Sequence, residues 1–372
     1  MYDFINHSPL LPSLLAAFGL DKFEDFFLID VGASGGISDH WKAFGEKLNA
    51  IGFDPLLTEV ERLNKLNTNP KISYEAGFIT YSELDTRYEK DCDLNSCTFW
   101  ERTSAARAEK NKNYSHIETR FNNGEKPVYS TQFFNLDDFV KSRNIHTADF
   151  IKIDTDGHDF PVLLGADHIL DNHGVLGVEI EAQFHGPSAS YSNTFSNIDQ
   201  LLRSKGFTLF SLNPYRFSRG DFPSDFLYDI YAQTKLGQVR WADAVYFRDL
   251  ADINYSQKTN FSVTSDKVIK LAYLYELYNL RDCAVELLIN RTDEFNFPKD
   301  SLRQIFDAMV PFLQNRQLNY KEYMKEFDTN PDQWFPVNSK TCKEPSKHNG
   351  LLEPKTWKLT KLLQRLLNQK QT

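Results

Sequence analysis

The segment FFLIDVGASGG, residues 26–36, restricts the fold of this chain more than any other part of the sequence. Its first residues form an almost unbroken apolar run, which is typical of a parallel strand covered on both faces. Gly32, Gly35 and Gly36 follow, and glycines at such a position allow a tight turn and a close approach of backbone to a ligand. A helix that starts after the loop would attract negative charge to its N-terminus. The segment therefore predicts a strand, a ligand-binding loop and a helix.

Strand and helix patterns alternate from residue 26 to about residue 254. Further strand-like runs are NAIGFDP, KISYEAGF, ADFIKID, GVLGVEIE, TLFSL and WADAVYFRD, with helical patterns between them. This alternation predicts an α/β fold with a doubly wound parallel sheet and helices on both faces.

The rest of the sequence shows three other regions. Residues 1–25 are predicted as a short helical lead-in. Residues 85–128 are polar and irregular, which is typical of a functional insertion or lid within a domain at 26–254. Strand signals end near residue 255, and residues 255–372 place apolar side chains at helical spacing, which predicts a helical C-terminal domain.

Composition excludes several classes of protein. The 372-residue chain has a formal charge of −9, which disfavours a general nucleic-acid binder. Its 4 cysteines are scattered and form no CxxC pair, so reduced thiols in a cytoplasmic protein are expected, without a disulfide framework or structural zinc. The N-terminal stretch lacks a basic region, and no apolar run is long enough to predict a signal peptide or a membrane span.

The C-terminal tail PKTWKLTKLLQRLLNQKQT has a Trp/Leu stripe, several basic residues and no acidic one. This pattern predicts a basic amphipathic helix over residues 355–370. Such a helix either lies on an anionic membrane surface or docks on its own domain or on a partner protein.

Two acidic residues indicate which ligand the glycine loop holds. Asp30 precedes the first glycine, and Asp54 ends the second strand, where its carboxylate can accept hydrogen bonds from ribose hydroxyls. NAD and S-adenosylmethionine both fit a loop followed by such an acid. A dinucleotide loop usually reads GxGxxG, whereas this one reads DxGxSxG, and its first acid repels a pyrophosphate but suits a sulfonium or ammonium group. The spacing favours S-adenosylmethionine, and a turn without a ligand is the remaining alternative.

A second group of polar residues follows the strand ADFIKID: Asp154, Asp156, His158 and Asp159. Ligands of open α/β sheets bind beyond the carboxyl ends of the strands, where these residues lie. The group could supply a general base, from His158 or a carboxylate. It could instead hold a divalent cation through Asp154, Asp156 and Asp159, line the methionine end of the cofactor, or cap the next helix.

The strand VEIEAQFHGP carries a further group of polar residues, Glu179, Glu181 and His185. The same topological rule places at least the last of them at the cleft. His185 is therefore a second candidate for the general base, although a single histidine is more often structural or exposed to solvent.

Taken together, these segments resemble the FkbM family of S-adenosylmethionine-dependent methyltransferases. The matching segments, in the order of the family over about residues 25–250, are LIDVGASGG, GFDP, LDDF, DFIKIDTDGHDFPVLLGA, VEIE, LLRSKGFTLFSL and WADAVYFRD. The chain departs from the family at Ser34, where asparagine is common, and at Asp156 and Asp159, where glutamate is usual.

The resemblance implies a class I methyltransferase (Rossmann-like) fold, with a seven-stranded, mostly parallel sheet whose last strand is antiparallel. It implies cofactor contacts from the Asp30–Gly36 loop, ribose binding by Asp54, adenine near Ala76–Phe78 and a contact from Asp154. These cofactor-binding candidates are Asp30, Gly32, Ser34, Gly36, Asp54, Ala76, Gly77, Phe78 and Asp154. The catalytic candidates are Asp154, His158 and His185.

Members of the family act as O-methyltransferases on sugars, polysaccharides or polyketides. The resemblance therefore implies methyl transfer from S-adenosylmethionine to a hydroxyl of a sugar, a glycan or a related natural product. A non-catalytic scaffold or partner-binding protein on a degenerate methyltransferase fold is the main alternative, and an NAD-dependent oxidoreductase is disfavoured.

Overall fold

The computed structural model describes residues 5–81, 99–110, 127–186, 189–227 and 232–335. The predicted tail helix at 355–370 and most of the predicted insertion at 85–128 lie outside the described residues.

A seven-stranded sheet forms the centre of the fold. Its strands in chain order are β1 (Phe26–Val31), β2 (Leu48–Asp54), β3 (Ile72–Ala76), β6 (Phe150–Ile153), β7 (Gly177–Gln183), β8 (Thr208–Phe217) and β9 (Gln238–Phe247). The order across the sheet is β3-β2-β1-β6-β7-β9-β8. Of the seven strands, β9 alone runs opposite to the other six, so the predicted mostly parallel sheet with an antiparallel last strand is confirmed. Two short strands, β4 (Phe78–Ile79) and β5 (Phe133–Phe134), pair separately.

Helices connect the strands and continue after the last strand. Those before β9 are α1 (Leu11–Ala17), α2 (Leu57–Leu66), α3 (Ser104–Lys110), α4 (Leu136–Ser142), α5 (Asp159–Leu164), α6 (Asp167–Asn172) and α7 (Phe195–Ser204). Those after it are α8 (Tyr255–Thr259), α9 (Ser265–Leu277), α10 (Arg281–Phe295), α11 (Lys299–Met309) and α12 (Tyr320–Thr329). Two 3-10 helices span Asp39–Lys47 and Pro331–Trp334. The predicted helical C-terminal region is thus present.

The two faces of the sheet differ in chemistry. Side chains alternate between faces along each strand, and one face is apolar throughout, with Ile29, Val31, Ile151 and Val178 in a core formed with the connecting helices. The other face is aromatic near the amino ends of the parallel strands, as at Phe150. It becomes polar toward their carboxyl ends.

The register identifies the residues of this polar half of the second face. Asp30 pairs with Lys152, Lys152 with Glu179, and Glu181 with Asp243. A continuous row of charged side chains therefore crosses β1, β6, β7 and β9 next to the carboxyl edge, where ligands of such sheets bind.

Helix α9 and the residue that follows it cover the aromatic half of this face. The ring of Tyr278, which follows α9, stacks on Phe150 with a centroid separation of 5.7 Å, and Tyr275 contacts Phe247 at 5.1 Å. A buried ion pair between Lys270 and Asp149, with a separation of 3.1 Å, joins α9 to the residue before β6.

The described chain separates into compact units at residues 1–305 and 306–372. The change from strands to helices, predicted near residue 255, thus lies within the first unit. In the second unit, Asn319 and Glu322 form a capping box at the start of α12, and the Trp334 ring packs on Tyr323. Within the described ranges, none of the helices combines the length and the apolar character that a membrane crossing requires.

Candidate active site

The glycine loop after β1 is shaped by close contact with the end of β6. Gly32 has a φ of +89°, and a Cβ added there would lie 1.8 Å from the carbonyl oxygen of Asp154, so no other residue fits. The N–H groups of Gly32 and Ala33 both donate to the carbonyl oxygen of Phe53 at 2.9 Å. The loop therefore ties the carboxyl ends of β1, β2 and β6 together.

The N–H groups of Gly35 and Gly36 also have protein acceptors. Gly36 donates to the carbonyl oxygen of Ala33, and Gly35 donates to Oε1 of Glu59 at 2.9 Å. The side chain of Ser34 is exposed. A pyrophosphate cradle requires free N–H groups that point at the ligand. Most N–H groups of this loop are bonded within the protein, so the loop instead allows a close approach of backbone to a ligand.

Asp30 and Lys152 form the buried ion pair of the site. The Asp30 side chain is 3% exposed, and its Oδ1 lies 3.5 Å from Nζ of Lys152. No hydrogen bond reaches this Oδ1 from the described residues. Burial raises the pKa of Asp30, and Lys152 opposes the rise. Burial alone would lower the pKa of Lys152, but Asp30, Asp154 and Glu179 together raise it.

Asp54 lies at the end of β2, where the sequence predicted a ribose ligand. It is 7% exposed, and its Oδ1 accepts a hydrogen bond of 2.8 Å from the backbone N–H of Leu56. Burial raises the pKa of Asp54, and the charges of Glu59, Asp156 and Asp30 raise it further. Asp54 thus belongs to the same acidic edge as Asp30.

The segment Ala76–Phe78, predicted to lie near adenine, follows β3. The N–H of Gly77 donates to the carbonyl oxygen of Asp54 at 3.1 Å, and that of Phe78 donates to Gln132 at 2.9 Å. The Phe78 ring is 37% exposed. The N–H groups of Gly77 and Phe78 therefore donate to acceptors within the protein, whereas part of the Phe78 ring is exposed to solvent.

The loop that follows β6 is built around the carboxylate of Asp159. Asp156 and Gly157 both have positive φ values, of 54° and 111°. Asp159 is fully buried, and it accepts hydrogen bonds from Thr155 N–H and Oγ1 and from Gly157 N–H, at 2.9, 3.0 and 3.2 Å. A fourth donor is Nδ2 of Asn193 at 3.2 Å. Asp159 therefore holds the loop in shape, while Asp156 is exposed at the edge.

Asp154 and the two predicted histidines occupy separate positions at this edge. The Asp154 side chain is 52% exposed, and its Oδ2 lies 3.4 Å from Nζ of Lys152. Nε2 of His158 is 2.9 Å from Oγ1 of Thr80. His185 is placed farther along, where its Nε2 is 2.8 Å from the carbonyl oxygen of Val239.

Glu179 and Glu181 project from β7 on the polar face of the sheet. Oε2 of Glu179 accepts a hydrogen bond of 2.5 Å from the Tyr278 hydroxyl, and burial raises the pKa of Glu179 to about 7. Burial raises the pKa of Glu181 to about 9, with further contributions from Asp159 and other acidic neighbours. No described residue forms a hydrogen bond with the buried Oε2 of Glu181.

Asp243 on β9 faces Glu181 across the register. Its Oδ2 accepts hydrogen bonds from the Tyr215 hydroxyl at 2.7 Å and from Nδ2 of Asn213 at 3.2 Å. Burial raises the pKa of Asp243 to about 6, and the Tyr215 hydrogen bond opposes the rise. The acidic row thus extends beyond β7.

Aromatic side chains border the acidic edge beside Asp243. The rings of Tyr215 and Trp241 stack at a centroid distance of 5.4 Å. The guanidinium group of Arg240 lies over the rings of Trp100 and Trp241, at 4.7 and 4.8 Å. Trp100 is therefore part of this ring cluster.

The structure brings Asp30, Gly32, Asp54 and Asp154 to one edge of the sheet, together with the loop around Asp159. Sequence reasoning did not select Lys152, Asp243, Tyr278 or Asn193, which hold this arrangement together. Lys152 was detectable, since a lysine in the middle of an apolar strand requires a buried partner. Among the described residues, no group of three or more His, Cys, Asp or Glu side chains could hold a metal ion.

Comparisons with known proteins bear on this geometry. A search of the curated proteins finds no match to the chain. Among solved structures, a TehB-like SAM-dependent methyltransferase from Corynebacterium glutamicum aligns with 10% identity over 64% of this chain and 86% of that chain, with a TM-score of 0.26. A SAM-dependent methyltransferase from Aquifex aeolicus aligns with 13% identity over 64% and 90%, with a TM-score of 0.27. Magnesium protoporphyrin IX methyltransferase from Synechocystis, with bound SAM, aligns with 10% identity over 64% and 76%, with a TM-score of 0.24.

The family comparison gives a direct result. Residues 30–209 match the family model described as the methyltransferase FkbM domain. The matched segment contains the glycine loop, Asp54, strand β7 and the loop that follows β6. This match confirms the resemblance seen in the sequence motifs and identifies residues 30–209 of the chain as an FkbM methyltransferase domain.

Proposed function

We propose that this chain is an S-adenosylmethionine-dependent O-methyltransferase whose acceptor is a hydroxyl of a sugar, a glycan or a related natural product. The methyltransferase family implies S-adenosylmethionine as the methyl donor. The observation that carries the proposal is the meeting of two surfaces at one edge of the sheet. An acidic glycine-loop surface suits a cationic donor with a ribose, and a ring-lined surface suits a sugar.

The donor surface has the features that this cofactor requires. Gly32 leaves space that any side chain would fill, and the buried Oδ1 of Asp30 has no hydrogen-bond donor among the described residues. Asp30 would accept a hydrogen bond from the ammonium group of the methionine end, and Lys152 would attract its carboxylate. Asp54 would hold the ribose hydroxyls, and the exposed ring of Phe78 would contact adenine.

The acceptor surface lies on β8 and β9. Stacked rings such as Tyr215 and Trp241 offer flat apolar area, and the neighbouring carboxylates of Asp243 and Asp154 accept hydrogen bonds from hydroxyls. Flat rings combined with acceptors match a sugar, which has apolar C–H faces and hydroxyl edges.

When bound, the donor supplies a methyl group on a positively charged sulfur. The chain contributes alignment and exclusion of water, because an in-line displacement depends mostly on the geometry of the reacting atoms. The acidic row also stabilises a positive charge at this edge. Base assistance contributes a further factor of about 10²–10⁴.

Isothermal titration calorimetry with S-adenosylhomocysteine and S-adenosylmethionine tests the donor assignment. We expect both to bind, and we expect Asp54→Ala to weaken binding about 10-fold or more, because the ribose hydroxyls lose a buried acceptor. Asp328→Ala, which removes an exposed carboxylate on α12, is the matched control. Absence of binding to the wild-type chain would refute the proposed function.

The acceptor class is tested with a methyl-labelled donor and a panel of neutral glycans, amino sugars and uronic acids. Label recovered as a methyl ether on a sugar supports the proposal. Label recovered on nitrogen or on a protein side chain would refute O-methylation of a sugar while leaving the methyltransferase assignment intact.

We further propose a cytoplasmic location with residues 355–370 as a membrane-surface contact. The sequence of this segment combines an apolar stripe with basic residues, which together attract an anionic surface. Sedimentation of the full chain with phosphatidylserine vesicles tests this contact. Replacement of the basic residues of the segment by glutamine should abolish co-sedimentation, and unchanged co-sedimentation would exclude it.

A further inference from the structure

We propose that Glu181 is the catalytic base that takes the proton of the acceptor hydroxyl during methyl transfer. This inference rests on the proposed function, since it assigns a residue of the same site. It differs from the sequence candidates Asp154, His158 and His185.

The position of Glu181 places it between the donor and acceptor surfaces. It lies on β7, two residues from the end of the strand, and it pairs in register with Asp243 of the acceptor surface. The charges of Asp159, Asp154 and Asp156, in the loop after β6, all act on its carboxyl group. Glu181 therefore lies where the loop of the donor surface meets the strands that carry the rings.

The hydrogen bonding of Glu181 differs from that of the neighbouring carboxyl groups. Glu179 accepts a hydrogen bond from the Tyr278 hydroxyl, and Asp243 accepts one from the Tyr215 hydroxyl. The buried Oε2 of Glu181 has no partner among the described residues. A buried polar atom without a partner destabilises the folded protein, and an acceptor hydroxyl would supply the missing donor.

The other candidates are already engaged in holding the site together. Nε2 of His158 contacts Thr80, and Nε2 of His185 contacts the carbonyl oxygen of Val239. The ring of His185 also stacks on Phe99 at 4.3 Å. These contacts fix both imidazoles in place and occupy one ring nitrogen of each.

The carboxylates of the loop after β6 also have assigned partners. Asp159 accepts hydrogen bonds from Thr155, Gly157 and Asn193. Asp154 is half exposed and pairs with Lys152. Among the described residues of this edge, Asp30 and Glu181 combine burial with an acceptor that receives no hydrogen bond. Asp30 faces the ammonium group of Lys152 at 3.5 Å, which leaves Glu181 as the candidate base.

The proton balance of the step is simple. The acceptor oxygen forms a bond to the methyl carbon as the carbon–sulfur bond breaks, and the electron pair of the broken bond stays on sulfur. The hydroxyl proton passes to Oε2 of Glu181. The products are a methyl ether, a neutral thioether and a protonated Glu181, which keeps the proton after product release and gives it up to water when the next donor binds.

The protonation state of Glu181 depends on the charge of the bound donor. Burial raises its pKa to about 9, so the free protein holds this carboxyl group neutral at neutral pH. A fixed positive charge within about 4–6 Å lowers a carboxyl pKa by roughly 1–3. Donor binding therefore releases the proton and produces a carboxylate whose pKa suits a general base.

Sinefungin tests this assignment without knowledge of the acceptor. It carries an ammonium-bearing carbon in place of the methylated sulfur, whereas S-adenosylhomocysteine is neutral there. We expect wild-type protein to bind sinefungin at least about 10-fold more tightly than S-adenosylhomocysteine. Glu181→Gln should remove this preference while it leaves the affinity for S-adenosylhomocysteine within about 3-fold of wild type.

Asp328→Asn is the control, since it removes an exposed carboxylate on α12 that is not part of the acidic row. We expect this variant to keep the preference for sinefungin. Calorimetry in buffers of different ionisation enthalpy adds a readout that a structural role would not affect. Near pH 7.5, sinefungin binding should release more protons from wild-type protein than from Glu181→Gln, by up to about one per chain.

Two results would overturn the assignment of Glu181. One is an unchanged preference for sinefungin in Glu181→Gln, and the other is equal proton release by this variant and the wild type. Each result counts against the assignment only when Glu181→Gln still binds S-adenosylhomocysteine. A wild-type chain that binds neither sinefungin nor S-adenosylhomocysteine would instead refute the proposed function.

Discussion

Replacement of Glu181 by glutamine should make the folded protein more stable, and the gain should grow with pH. The group has a pKa of about 9 in the folded protein, against an ordinary value of 4.5. Below the ordinary pKa the carboxyl group is protonated in both states and carries no penalty. As pH rises above it, the unfolded chain releases this proton and the folded protein does not, so stability is lost until the folded pKa is reached.

The size of the effect follows from the same two pKa values. Each pH unit above the unfolded pKa adds about 1.4 kcal/mol, so the penalty is under about 1 kcal/mol at pH 5 and about 3 kcal/mol at pH 7. Glutamine has the same shape and no charge, but its amide also needs partners. We therefore expect Glu181→Gln to gain about 1–3 kcal/mol near pH 7 and little at pH 5.

Urea unfolding of wild type and Glu181→Gln between about pH 5 and pH 8 measures this difference. Glu179→Gln is an internal reference, because the pKa of Glu179 is raised only to about 7 and its contribution should level off above that pH. A stability difference for Glu181→Gln that does not change with pH would refute the reasoning.

Three further results are expected. Lys270→Met should destabilise the fold by about 3–5 kcal/mol, because it leaves the buried Asp149 carboxylate without its ion pair. The control Lys258→Met removes an exposed ion pair and should cost under about 1 kcal/mol. Equal urea midpoints for the two variants would contradict the prediction. Gly32→Ala should abolish S-adenosylhomocysteine binding in calorimetry, because its Cβ would overlap the carbonyl oxygen of Asp154, and retained affinity would show that the loop is not the donor site. EDTA should leave ligand affinity unchanged, and lost binding that Mg²⁺ restores would contradict this expectation.

The sequence alone was sufficient to predict the sheet and the polar residues at its carboxyl edge. Strand periodicity and glycine spacing are local signals, so β1, the glycine loop and Asp54 were identified directly. The row formed by Lys152, Glu181 and Asp243 was not, because it depends on which strands are neighbours in the sheet. Strand order and register bring these residues together across about ninety positions of sequence, and no local pattern contains that information.

The roles of single polar residues were also difficult to predict for a physical reason. Asp159 and Asp154 are both acidic residues after the same strand, yet one is fully buried with four donors and the other is half exposed. The difference arises from the positive φ values in the loop between them and from Asn193, which is distant in sequence. Residue type and spacing do not determine which of two nearby carboxylates becomes structural.

The hairpin formed by β8 and β9 has a consequence for how this enzyme could diverge. The family match ends at residue 209, so almost the whole hairpin, with Tyr215, Trp241 and Asp243, lies beyond it. The donor surface, in contrast, lies within the matched segment. On the function proposed above, changes in the hairpin would alter acceptor choice while the donor surface stays constant. The same donor surface could in this way be combined with different β8–β9 hairpins, each of which selects a different acceptor.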